Sequence, residues 1–557
     1  MANERIPHPS AITRRDFFKA GASVLAGSTV LGALQGCGGF SDGIGLITDR
    51  YVLDVQFREL MVGSRRCRLR CYNGQVPGPT MRTAPGHRFH VRIENGLPPN
   101  KDPQMGGGGG GHVMGRAHPG ESVFEQNTPH AFNTTNLHVH GLQVSTHLFE
   151  PFGTSDPMAP LLAIEPGEAF EYKFVLPEDH PSGLYFYHPH YHGSTLLQVV
   201  NGMAGAIIVE GPIDRVPEIA AAREIPIYIT DLGLCPSPED PNLWQNDPTP
   251  GKYFNSQTGL PLDGYMLGNY MLQMFLVNGQ PVFEEDFSTG QQVNVQLPVP
   301  SVSIRPGEVV RLRILNGSSD SYIPVNLEGH TMHVIALDGI NFLAPRPVDY
   351  DPNEQQLQLA AANRGEVLIK GSAPGRYRLY QPAHNEQFGP SPEKHLMDIV
   401  VEGEPTDMAI PSALPKPVRE YPLLSDSPVN GYHSVQFKVT FPYNELPTGV
   451  GFFLNNLLYD EFRIDHVAHI GDVEEWTLTN VSGEGHPFHI HVNSFELMSI
   501  GGVKQTPGTF KDVQWIRPNE PVVIRMRFKQ WTGKTVYHCH ILPHEDTGMM
   551  QNFMIRR

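Results

Sequence analysis

Short stretches in which apolar and polar residues alternate, each closed by a turn residue, run through almost the whole chain, while helical periodicity is scarce. Alternation puts successive side chains on opposite faces of an extended strand, so the pattern predicts an all-β protein. One unit recurs. Pro85-Gly86-His87-Arg88-Phe89-His90-Val91-Arg92-Ile93-Glu94-Asn95 returns as Pro306-Gly307-Glu308-Val309-Val310-Arg311-Leu312-Arg313-Ile314-Leu315-Asn316. It returns more faintly as Ile470-Gly471-Asp472-Val473-Glu474-Glu475-Trp476-Thr477-Leu478-Thr479-Asn480. Gly and Asn stand nine apart in every copy, which reads as turn, alternating strand, turn. Asn73-Gly74-Gln75, Asn278-Gly279-Gln280 and Asn455-Asn456 precede the three copies. Three strand–turn copies predict three consecutive β-sandwiches, at about 45–212, 213–403 and 430–557. The Pro-rich stretch at about 404–429 reads as the linker before the third.

Composition agrees: 56 Gly and 51 Pro suit a loop-rich β protein. The first 37 residues read as a leader and drop out of the fold. Thr13-Arg14-Arg15-Asp16-Phe17-Phe18-Lys19 has the form of a twin-arginine export signal, followed by an apolar run from Ala20 to Leu34 too short and Gly-rich to span a membrane. Leu34-Gln35-Gly36-Cys37 approaches a lipoprotein cleavage box. A lipid anchor at Cys37 and an ordinary peptidase site with Cys37 incidental fit equally. Either way the expected address is a bacterial periplasm or cell envelope. The formal charge is −17, and removing the basic leader makes the remainder more acidic. An acidic surface argues against nucleic acid as a partner. Cys67 and Cys71 fall on one strand face, too far apart to bridge each other, and a bond from either to Cys235 stays open.

The histidines carry the chemistry. Twenty-six of them would give about one His-x-His by chance, and five occur: 138/140, 188/190, 190/192, 489/491 and 538/540. His538-Cys539-His540 is followed by His544 and Met549. A thiolate, an imidazole five residues on and a thioether five beyond supply three of the four contacts of a blue-copper centre. On a strand, His538 and His540 point away from the Cys539 face, toward a second metal group.

Leu137-His138-Val139-His140-Gly141, Tyr187-His188-Pro189-His190, His486-Pro487-Phe488-His489-Ile490-His491 and the Cys539 segment, in that order, resemble the multicopper oxidases of the laccase type. His544-Glu545-Asp546 with Met549-Met550 is most similar to the bacterial spore-coat laccase and bilirubin-oxidase branch. The resemblance implies cupredoxin-like Greek-key sandwiches and four copper ions. His486, Cys539, His544 and Met549 would hold the type 1 copper. His138 and His489 would hold the type 2 copper, and His140, His188, His190, His491, His538 and His540 the type 3 pair. Electrons from a small-molecule or metal-ion reductant would enter at His544 or His486, ring edge outward, and dioxygen would become two waters. Glu545 and Asp156 are the catalytic acids that the resemblance suggests for proton supply. His192, beyond the family's ligand count, is expected to support rather than coordinate.

Ligands fall only in the first and third units. The middle one, with His330 and His333, is therefore expected to act as spacer and pocket wall. Gly106 to Gly111, with Met105, His112, Met114, His118 and His130, reads as a tolerated insertion or a metal-delivery loop. Met266, Met271 and Met274 read as core or pocket lining. The expected activity is oxidation of phenols, aromatic amines or bilirubin-like pigments by a monomer. A metallo-oxidase of Cu(I), Fe(II) or Mn(II) is the alternative, and a copper-free envelope scaffold the remote one.

Overall fold

A computed structural model describes residues 40–41, 47–100, 119–149, 154–237, 239–246, 271–286, 291–294, 297–385, 389–417, 423–446 and 449–557. The segment read as an export signal, Cys37, the glycine run and Met266 lie outside these residues. The described chain is strand joined by turns, and its α-helices are at most five residues long. None of them is long and apolar enough to cross a membrane.

The three matching segments form strands with the same surroundings. Arg88–Asn95 runs parallel to Ile47–Val62 and antiparallel to Ala169–Val175. Val309–Asn316 is placed likewise between Arg223–Pro236 and Arg364–Lys370, and Val473–Asn480 between Gly431–Thr440 and Val522–Arg527. The Asn that closes each segment explains the shared spacing. Asn95, Asn316 and Asn480 are buried, and each side-chain amide donates to two backbone carbonyls of loops folded over the strand end. A buried amide left without partners costs about 1–3 kcal/mol, so the position favours one residue type. The preceding pairs Asn73-Gly74, Asn278-Gly279 and Asn455-Asn456 all have positive φ, as a tight hairpin turn requires.

The first and second units are not separate sheets. Arg223–Pro236 pairs with Leu243–Gln245, which pairs in parallel with Arg65–Tyr72, giving one 14-stranded sheet across both. Nor is the Pro-rich stretch a free tether. Thr406 and Met408 donate their amides to Pro306 and Gly307, Leu414 donates to Leu343, and the Leu414 side chain is buried. The third unit closes a seven-stranded sheet on a five-stranded one. Its core, around Trp476, Phe488, Cys539 and Met549, continues into Leu184 and Phe186 of the first unit and Tyr322 and Ala362 of the second. That continuity makes a dry seam where the histidine clusters meet.

Cys67, Cys71, Cys235 and Cys539 are buried free thiols, so the open disulfide question resolves as no bond among them. Met274 belongs to a buried apolar cluster, whereas Met271 is exposed. His330 is buried, its Nδ1 donating to the Glu328 carbonyl.

Candidate metal centre

Two strand pairs hold the site. His138–His140 lies antiparallel to Gly183–His188 with His138 opposite His188. His486–Ile490 lies antiparallel to Gly533–Cys539 with Phe488 opposite Cys539 and His489 opposite His538. Alternation then sorts the side chains: His486, Phe488 and Cys539 face one way, and His489 and His538 the other.

On the first face, Cys539 Sγ lies 3.5 Å from His486 Nδ1 and 3.7 Å from His544 Nδ1. The His544 ring stacks on Phe452 and the His486 ring on Phe437. Met549 is buried beside them and is tied by its backbone to both Cys539 and His544. Sulfur and two imidazole nitrogens at one point, walled by aromatic rings, form a soft-metal ligand set in a dry pocket.

Eight imidazoles gather on the other face, all buried. His138 stacks on His491 at 4.0 Å between ring centres, and His140 stacks on His489 at 3.8 Å. His538 Nε2 lies 3.2 Å from the Nε2 atoms of both His190 and His491. Nδ1 of His188, His489 and His538 donates to the carbonyls of Pro189, Asp512 and Cys539, which turns their Nε2 lone pairs inward. The Nε2 atoms of His138, His188, His489 and His540 have no hydrogen-bond partner. Buried lone pairs converging without protons to share are costly for a protein alone and suited to metal cations.

Electrostatics favours the ligand forms of these rings. Burial, with mutual repulsion second, holds His138, His140, His190, His491 and His540 well below the usual histidine range. Burial likewise brings His188 and His486 down to about 3. Neutral imidazole is the form that binds a metal. Burial pushes the Cys539 thiol well above its ordinary value, so a cation beside it is what makes a thiolate favourable there.

The two proposed acids part company. Glu545 is fully buried, with Oε1 3.3 Å from His190 Nδ1 and Oε2 3.0 Å from His538 Nδ1. Asp156 is exposed, and its carboxylate accepts the Met158 amide in a turn. The structure does not bring Asp156 to the cluster, because Lys534 pins its loop on the outside of the seam through the carbonyls of Thr154, Pro157 and Ala159. His192 also stays outside, paired with Asn127 and packed on Tyr459.

Three residues went unread in the sequence. Asp512 Oδ1 lies 3.4 Å from His140 Nε2, and Arg364 of the middle unit grips both Asp512 oxygens. Glu484 Oε1 lies 4.0 Å from His486 Nε2 and 3.8 Å from His544 Nε2. The expectation of an outward ring edge fails: His486 and His544 are buried, His486 Nε2 pairs with Ser482 Oγ, and Glu484, 18% exposed, lies beside both rings. Burial pushes its carboxyl up to about 7. Only its place two residues before His486 signalled it.

Multicopper oxidase family models match residues 116–214, 249–396 and 427–557. The chain belongs to the multicopper oxidases. It is therefore a copper-using oxidoreductase built from cupredoxin-like Greek-key sandwiches. It is 23% identical to a multicopper oxidase of Staphylococcus aureus over 495 residues, 87% of this chain and 83% of that one. It is 26% identical to a laccase of Haloferax volcanii over 507 residues, 87% and 77% of the two chains. A solved multicopper oxidase of Campylobacter jejuni, described as a metallo-oxidase, shares the fold with a TM-score of 0.65, 23% identity and 92% of each chain.

Close packing around this multicopper oxidase's cluster gives one direct test. Gly141, at φ +82°, follows ligand-candidate His140, and a Cβ there would press on Arg364 Nη2 and Asp512 Oδ2. Gly141→Ala is expected to cost about 3 kcal/mol, combining backbone strain with overpacking. Thermal unfolding and copper content per molecule should both fall.

Proposed function

We propose that the chain is a laccase-like oxidase holding four coppers, which takes single electrons from phenols, aromatic amines or bilirubin-like pigments and reduces dioxygen to two waters. One observation carries this reading. Cys539 meets His486 and His544 on one strand face, while its neighbours His538 and His540 join the imidazole cluster on the other. His486, Cys539, His544 and Met549 would hold a type 1 copper. His138 and His489 would hold the type 2 copper, and His140, His188, His190, His491, His538 and His540 the type 3 pair. Copper bound there supplies one-electron redox steps and a place for dioxygen.

The chain's own groups do the rest. Aromatic walls keep water from the Cys539 pocket. A cavity of about 20 Å³ beside His138 and His491, lined by Leu142, Val144 and Phe174, has room for one water-sized molecule. Glu545, between His190 and His538, would hold a proton for oxygen reduction.

Glu484 supports an organic donor. A phenol loses a proton as it gives up an electron, and a carboxylate within about 4 Å of both imidazoles would accept it. The same carboxylate favours a second reading, as a cation dock for Cu(I), Fe(II) or Mn(II), and the Campylobacter jejuni relative is described as a metallo-oxidase. Glu484→Gln is expected to lower kcat/KM for a phenol by about 10²-fold. Wild-type assays on a phenol, bilirubin, Cu(I) and Mn(II) should rank an organic donor first. A far higher kcat/KM for Cu(I) would overturn the organic-donor reading. Export to a bacterial periplasm or cell envelope is part of the same proposal, supported by Arg14-Arg15, and a lipid at Cys37 belongs with it only if that residue becomes the mature terminus.

A further inference from the structure

Among its described residues the middle unit offers no candidate copper ligand, yet it reaches the imidazole cluster. Asp512, from the third unit, forms with His140 and His489 a buried group whose ligand atoms lie within 4.8 Å of one another. Two imidazoles and one carboxylate can together hold a transition metal, leaving positions open. In this chain the carboxylate is already taken. Arg364 donates from Nη1 to Asp512 Oδ1 at 2.7 Å and from Nη2 to Oδ2 at 2.6 Å, a two-pronged grip with both partners buried.

Arg364 is itself fixed on all sides. Its Nε donates to the Leu184 carbonyl of the first unit, Nη1 also to the Ala362 carbonyl, and its backbone amide to Asp338 Oδ1. Asp338 in turn accepts the amides of Asp512 and Val513, and Asn363 spans Asp338 and the Val513 carbonyl. The segment that presents Asp512 is thereby locked onto the middle unit. The lock reaches both imidazoles: the Asp512 carbonyl takes the His489 Nδ1 proton at 2.8 Å, and Oδ1 stands 3.4 Å from His140 Nε2.

We propose that Arg364 is a positioning residue that keeps the Asp512 carboxylate out of the copper's ligand shell and holds it as a fixed anion orienting His140 and His489. The proposal rests on reading those two histidines as copper ligands. The physics is a competition for one carboxylate. With the guanidinium in place, both oxygens are engaged and their charge is balanced within the protein. Without it, a buried carboxylate beside two imidazoles loses its two-pronged partner, and the metal those imidazoles hold competes with neighbouring Lys511 to neutralise it. The middle unit, expected to be a spacer, would then decide the chemistry of a site to which it lends no ligand.

The test compares copper-loaded full-length wild type, Arg364→Met and Arg364→Met/Asp512→Asn by copper analysis and electron paramagnetic resonance. The Met variant should show a changed signal for the copper not bound by sulfur, as a carboxylate oxygen joins it. The double variant, with no anion left to bind, should recover the wild-type signal. A wild-type signal with full copper in Arg364→Met overturns the proposal, as does a double variant that stays shifted. If the Met variant does not fold, Arg364→Lys keeps the charge but gives up the two-pronged grip. It should then show two forms of the signal for the copper not bound by sulfur, and a single wild-type form of that signal overturns the proposal. A wild type that takes up no copper would instead overturn the proposed function, so the two failures are told apart.

Discussion

Cys539→Ser should abolish the blue absorption and lower oxidase turnover by at least about a thousandfold, equivalent to about 4 kcal/mol of barrier. Serine keeps the shape of the side chain and replaces a soft sulfur with a hard oxygen that binds copper poorly. The buried position opposite Phe488 loses little packing, so unfolding temperature should move by only a few degrees, for a change of about 1 kcal/mol. The eight imidazoles lie on the other strand face and should keep their copper. Spectroscopy and metal analysis on one sample check all three statements. Surviving blue colour would sink the assignment of Cys539, His486 and His544 to one centre.

The second large effect belongs to Glu545. Its oxygens approach His190 and His538 in a fully buried place, so Glu545→Gln removes the proposed proton carrier while keeping size and shape. Steady-state turnover in air is expected to fall by about 10²-fold, the usual weight of a placed acid or base. Reduction of the blue copper by donor without oxygen should keep its wild-type rate, because that step does not involve the buried carboxyl. Rapid-mixing absorbance with and without dioxygen separates the two. Equal turnover in the Gln variant would discard the proton role. Asp156→Asn is the matched control: an exposed turn carboxylate on a loop pinned outside the seam should leave turnover unchanged.

Much of the architecture was legible in the sequence, for local reasons. Period-two alternation announced the strands, and the Gly–Asn spacing of nine marked three segments that take the same pairing between a parallel and an antiparallel neighbour. The His-Cys-His run sorted thiol from imidazoles by strand geometry alone. Each of these signals is written within a dozen residues. Where a partner lies far along the chain, the signal vanished. Leu243–Gln245 joins two units into one sheet through a pairing that no periodicity encodes.

The site divides in the same way. Which side chains gather into candidate metal groups was legible from residue type and short spacing. Which carboxylates approach them was decided only by docking. Glu545 falls inside because a single helical turn carries it back beneath His538. Asp156 falls outside because Lys534, nearly four hundred residues on, pins its loop there. His486 and His544 are buried with Glu484 beside them, and Arg364 meets Asp512 across 148 positions. Backbone alternation is a property of neighbouring residues and survives in any sequence window. The pairing of buried charges depends on how finished sandwiches pack, and only the folded chain holds that.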